Sequence, residues 1–143
     1  MSEYLDTSVL VAAFVRHHPN HEASIVALER STKATSYCSA HALAEVYAVL
    51  TRLPVRPIIT PDQALAYLDD VRERLSIVSL DEDRYLATLR RAATSSVLGG
   101  QIYDALHLQC AREAGADAIL TWNVTHFQRV AVELADRVKM PGT

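Results

Sequence analysis

Three acids stand where a solvated carboxylate has no reason to be. Asp6 closes the apolar pair Tyr4-Leu5 and precedes the unbroken apolar stretch from Val9 to Val15. Glu45 lies inside Ala-Leu-Ala-Glu-Val-Tyr-Ala-Val-Leu, residues 42–50. Asp104 lies inside Ile-Tyr-Asp-Ala-Leu-His-Leu, with Leu108 and Ala111 four and seven positions on, hence on the same helical face. An unpartnered carboxylate on a core-facing stripe is costly and takes up a proton unless something compensates its charge. Each acid has a plain structural reading as well. Asp6 can cap the next helix, and Glu45 and Asp104 can pair with His41 or His107. A shared cation is the single explanation that covers all three. Asp69, Asp70, Glu73, Asp81, Glu82 and Asp83 fall in polar runs or helix starts and belong to solvent.

The ligand types select the ion. Carboxylate oxygens, without cysteine and without histidines at a zinc spacing, favour a hard cation such as Mg²⁺ or Mn²⁺. Cys38 and Cys110 form no Cys-x-x-Cys pair and read as small buried thiols in a reducing compartment. The chain has no Gly-x-Ser-x-Gly, no Gly-x-Gly-x-x-Gly and no Gly-x-x-x-x-Gly-Lys. Nucleophilic triads and the usual dinucleotide and NTP sites are therefore not expected.

The elements that must position these acids follow from composition and periodicity. With 143 residues, 50% hydrophobic and 22% charged, the chain suits one compact domain spanning residues 1–143. Four Gly and five Pro are too few for a linker-rich chain. The net charge of −3 announces no basic field, although Lys33 and Lys139 are the only lysines among 14 basic side chains. The longest apolar run is far short of the ~18–20 residues that a bilayer span requires. Glu3 and Asp6 precede it where a secretory signal would carry positive charge, so a cytoplasmic protein without an export signal or membrane segment is expected.

Strands are predicted at 2–6, 34–38, 77–80 and 118–121, with an edge strand near Val138; the 77–80 strand reads as buried. Helices are predicted at 9–15, from Pro19-Asn20 to about Arg30, at 39–53 and from Thr60 to about Leu75. Further helices run at 81–95 and 101–114, and a short turn begins at Asn123. Pro54 to Thr60 is a stiff loop, and Thr60-Pro61-Asp62-Gln63 is a capping box. Leu86, Leu89 and Ala93 are expected to face inward. Strands alternating with helices imply an α/β fold, a central, mostly parallel sheet of four to five strands flanked by helices on both faces. Sites in such sheets lie beyond the carboxyl ends of the strands, near the switch point.

Four fragments in order carry a resemblance: Tyr-Leu-Asp-Thr-Ser-Val-Leu at 4–10, Ala-Glu-Val-Tyr at 44–47, Tyr-Asp-Ala-Leu-His at 103–107 and Leu-Thr-Trp-Asn-Val-Thr-His-Phe at 120–127. Over nearly its whole length the chain resembles a PIN domain, and among PIN domains the VapC-type toxin ribonucleases. The resemblance implies a metal-dependent endoribonuclease, the toxin of a toxin–antitoxin pair, acting on structured RNA of the tRNA or rRNA class. It implies Asp6, Glu45 and Asp104 as the acidic core around Mg²⁺ or Mn²⁺, steadied by Thr7 and Ser8. A metal-activated water would attack the phosphodiester. It also implies a homodimer and a small antitoxin that places a basic side chain in the acidic pocket.

Asn123 stands where many members carry a fourth acid, and His126 where the motif often has a second. The amide oxygen of Asn123 accepts from a bound water or coordinates weakly but brings no charge, so one metal is expected before two. The same departure keeps a second reading open, a non-catalytic PIN-like module that binds RNA or protein. Haloacid-dehalogenase phosphatases also end strand one in Asp, but they need a second acid where Ser8 stands. Two consequences are expected from the sequence. Asp6→Asn or Asp104→Asn should abolish cleavage with stability level or raised. An apolar patch near Ala42, Val46 and the 54–60 loop should receive the antitoxin. Trp122 either stacks on a base or packs at a strand end.

Overall fold

The computed structural model describes all 143 residues. In chain order the elements are β1 (Glu3–Leu5), α1 (Thr7–Phe14), α2 (His21–Glu29), β2 (Ser36–Ser39), α3 (Ala40–Leu50) and α4 (Pro61–Arg74). Then come β3 (Ser76–Val78), α5 (Glu82–Thr94), α6 (Gln101–Ala114), β4 (Ala118–Leu120), α7 (Val124–Val130), a 3-10 turn (Val132–Arg137) and β5 (Val138–Lys139). The five strands form one parallel sheet in the order β3-β2-β1-β4-β5. No helix is long and apolar enough to cross a membrane.

The sheet is covered on both faces because its strands alternate. Neighbouring side chains leave opposite faces of a strand, so Leu5 and Leu120 enter one apolar cluster while Tyr4 and Ile119 enter the other. The first cluster packs α1 to α4 through Leu10, Val46, Leu50, Val71 and Leu75. The second packs α6 and α7 through Leu108, Ala111 and Phe127. From β1 the chain steps outward through β2 to β3, then crosses back to β4 and β5 on the other side. The reversal falls between β1 and β4, where Asp6 N–H donates to Leu120 O at 3.0 Å. A crevice at that point is what the topology requires. Thr60 and Gln63 form the expected reciprocal cap on α4, and Gly115 ends α6 at φ +66, a left-handed conformation that glycine adopts without steric cost.

Three local expectations are corrected. The third strand covers Ser76–Val78 and is only part-buried, because it is the terminal strand of the sheet. In α5 it is Thr88 and Ala92 that face inward, whereas Leu86, Leu89 and Ala93 are exposed. Small residues there let α5 lie close to the rest of the fold, and the Thr88 hydroxyl is satisfied by Arg84 O at 2.8 Å. Ala42 and Val46 are fully buried in the first cluster and cannot form a docking patch. They lie on the core face of α3.

Burial pushes the thiols of Cys38 and Cys110 up to about 12, with nearby Cys110 and Glu113 adding to the respective shifts. Neither is expected to react with a thiol reagent at mildly alkaline pH until the chain is unfolded, when both should react. Stoichiometric labelling of the native protein would contradict this burial.

Candidate active site

Asp6 is set by a change of local conformation. β1 ends at Leu5, α1 starts at Thr7, and Asp6 between them is extended at φ −74, ψ 159 as the helix cap. Its Oδ2 accepts from Ser8 N–H at 3.3 Å, Ser8 Oγ at 2.8 Å and Thr121 Oγ1 at 2.8 Å. Ser8 Oγ in turn accepts from Trp122 N–H, and Thr121 Oγ1 from Asn123 N–H, each at 3.0 Å. Asp6 is 3% exposed and fastens the end of β1 to the end of β4.

Glu45 reaches the same crevice from the middle of α3. Its Oε1 accepts from Thr7 Oγ1 at 3.0 Å and from His107 Nε2 at 2.7 Å. Burial alone would raise its pKa, but the hydrogen bond and charge of His107, helped by Thr7 and His41, hold it below the ordinary glutamate range. His107 stands one turn beyond Asp104 on α6 and is 2% exposed. Its Nδ1 is 2.6 Å from Tyr4 Oη, and its Nε2 is also 3.4 Å from Asp6 Oδ1. Burial opposes a charge on this ring, but the bond to Glu45 and the charges of Asp6, Glu45 and Asp104 outweigh it and raise its pKa.

Asp104 differs from both. It lies half-buried in the first turn of α6 and makes no hydrogen bond. Burial, followed by the charge of Asp6, pushes its carboxyl up to about 6 against the pull of His107 and His126. Asn123 is exposed at the start of α7, with its side chain free of any capping bond. Asp6, Thr7, Ser8, Glu45, Asp104, His107, Trp122 and Asn123 all line one open cleft.

The cleft therefore gathers the predicted residues without closing them around a point. No three His, Cys, Asp or Glu side chains stand close enough to enclose one ion. Glu45 Oε1 is drawn to His107 and Asp6 Oδ2 is committed to hydroxyls, while Asp104 has no partner holding it. The donor chemistry still suits a hard cation: all the acids are oxygen donors, and the unpartnered, elevated Asp104 marks a place short of positive charge.

His107 is the partner that sequence could name only as one of two candidates, and its spacing of three from Asp104 was the available signal. The acceptors and donors on Thr121 and Tyr4 escaped notice because a hydroxyl at a strand end has no distinctive pattern. Trp122 is part-buried, its Nε1–H donating to Ser24 Oγ at 2.8 Å, which is the packed alternative rather than a free stacking platform.

The chain is similar to known proteins in sequence and in fold. The sequence profile described as PIN domain matches residues 4–133. Ribonuclease VapC40 of Mycobacterium tuberculosis is 40% identical over 132 residues, covering 90% of this chain and 94% of its own length. The crystal structure of VapC20 from the same species, a sarcin-ricin loop cleaving toxin, superposes with a TM-score of 0.67 at 16% identity, covering 82% of this chain and 87% of that one. A toxin–antitoxin complex from Klebsiella pneumoniae contains a chain with a TM-score of 0.67 at 18% identity, with 98% of each chain covered.

Proposed function

This chain belongs to the PIN domain family, and within it to the VapC-type ribonuclease toxins of toxin–antitoxin systems, and we propose that it cuts structured RNA of the tRNA or rRNA class using Mg²⁺ or Mn²⁺ held by Asp6, Glu45 and Asp104. The observation that carries the reading is Asp104, a half-buried acid without a hydrogen-bond partner, facing Asp6 in the cleft at the switch point. Held by Asp6, Glu45 and Asp104, a divalent ion would neutralise charge on the phosphodiester and lower the pKa of a water.

The chain's own residues supply the rest. Thr121 and Ser8 fix Asp6 so that one oxygen is spent on hydroxyls and the other stands 3.4 Å from His107 Nε2. Thr7 holds one oxygen of Glu45, and Asp104 is free to turn toward what binds. The Asn123 side chain orients water through its amide oxygen.

Total RNA incubated with Mg²⁺, with Mn²⁺ and with EDTA tests this. Discrete cuts that vanish in EDTA and return with either ion are expected. RNA that is bound but intact under all three conditions would assign the non-catalytic binding role instead.

Asn123→Asp adds a carboxylate at the rim and should tighten Mn²⁺ binding several-fold, since ligand charge count tunes affinity for hard cations. Calorimetry on the two proteins checks it. Equal affinity and stoichiometry would put Asn123 outside the cation's reach.

We further propose a cytoplasmic toxin, a single domain over residues 1–143, restrained by a small antitoxin. A groove beside α1, α2 and α4 has an apolar floor of Phe14, Ile25, Leu28 and Tyr67 with Arg16 and Asp70 at its rim, which suits an amphipathic helix. The exposed stripe Leu86, Leu89 and Ala93 on α5 suits a second copy of the chain in a homodimer.

A further inference from the structure

We propose that His107, oriented by Tyr4, is a positioning residue that holds Glu45 by one oxygen and leaves the other for a divalent cation. The inference rests on the cation reading of the cleft. Tyr4 lies in β1 with no exposure, and its hydroxyl is 2.6 Å from His107 Nδ1. Whichever of Tyr4 Oη and Nδ1 donates, the contact fixes the plane and direction of the ring, and Nε2–H faces Glu45 Oε1 at 2.7 Å. Thr7 donates to the same oxygen at 3.0 Å, whereas Oε2 has no partner in the fold. Tyr4 and Phe127 bracket the imidazole, with ring centroids 5.8 Å and 6.1 Å away, so it cannot swing out of line.

Space-filling alone does not explain this arrangement. A leucine or phenylalanine would fill the site between Tyr4 and Phe127 without burying two polar side chains. Instead a Tyr–His–Glu chain runs from the middle of the sheet to the crevice and ends on an acid that lines it. Groups behind a metal ligand fix its orientation, and losing them typically weakens metal affinity by about 10–100-fold.

Mn²⁺ calorimetry on four purified proteins decides it: wild type, His107→Gln, His107→Leu and the double variant Tyr4→Phe/His107→Leu. The double variant removes both polar groups, so no phenol is stranded, and its thermal melt in EDTA should stay close to that of wild type. Mn²⁺ binding by His107→Leu and by the double variant should weaken by about 10–100-fold. His107→Gln, whose amide N–H reaches the Nε2 position, should recover most of the loss. Equal Mn²⁺ affinity across all four proteins, or a Gln variant no better than Leu, overturns the proposal while leaving the cation reading intact. A wild type that binds no Mn²⁺ yet cuts RNA removes both.

Discussion

Asp104→Asn is expected to abolish RNA cleavage and at the same time to raise the melting temperature of the metal-free protein by about 2–6 °C. The carboxylate is half-buried, hydrogen-bonded to nothing and pushed up to about 6 by burial and by Asp6. Holding it ionised at neutral pH costs about 1–2 kcal/mol once the cleft's contact with water is allowed for. Between the ordinary aspartate range and about 6 the folded chain binds this proton more tightly than the unfolded chain does. Stability from this group is therefore complete at low pH and falls as pH rises through that window. The Asn side chain has no such dependence, so the two proteins should melt together in acid and diverge toward neutrality. Cleavage should fall by at least about 10²–10³, the usual loss when a group stabilising transition-state charge is removed. Thermal melts in EDTA across pH, set beside an RNA cleavage assay, read both halves. Wild-type cleavage by the variant would take Asp104 out of the site, and a lower melting temperature would mean the carboxylate has a partner in the fold.

Asp6 should behave oppositely in folding although it shares the loss of activity. Asp6→Ala removes the cap of α1, worth about 1 kcal/mol, and strands the hydroxyls of Ser8 and Thr121 that now point at one carboxylate oxygen. Buried groups left without acceptors cost about 1–3 kcal/mol each. The melting temperature should drop by about 5–15 °C. Asp6→Asn should also fall, by less, because its amide offers one acceptor and turns donors toward His107 Nε2–H or the hydroxyls. The sequence alone suggested that either Asp→Asn change would leave stability level or raised. The hydrogen bonding keeps that expectation for Asp104 and reverses it for Asp6: beside two local bonds from Ser8, Thr121 reaches Asp6 from 115 residues away, which nothing local in the sequence signals. An Asp6→Ala protein melting with wild type would show that those bonds contribute nothing net.

What was legible in the sequence was what period and composition control. Alternation in Tyr4-Leu5 and Ile119-Leu120, the capping box at Thr60 and Gln63, and Gly115 after α6 are local, and they sit where their chemistry places them. The acids were legible for the same reason: a charge in an apolar run is conspicuous one residue at a time. Facing was harder. Leu86, Leu89 and Ala93 form a helical stripe as good as many core stripes, yet α5 turns Thr88 and Ala92 inward. Only the neighbours of α5 decide between two such faces. Partner choice was harder still, since His41 and His107 were equivalent candidates on paper and only the fold brings the second within 2.7 Å of Glu45.

The all-parallel sheet has a consequence for when the toxin becomes dangerous. β1 is the first strand to be synthesised, yet one of its two neighbours, β4, pairs Tyr4 with Ile119 near the other end of the chain. Contacts so distant in sequence form late in folding, after the loop between them has been closed. The acid that begins the site at Asp6 receives its Thr121 bond only once β4 has docked. A chain still emerging from a ribosome, with residues beyond 120 inside the exit tunnel, has Asp6 and Glu45 but neither the Thr121 anchor nor an intact switch point. While those residues are in the tunnel the site is unassembled, and an antitoxin already in place can meet the fold as β4 docks.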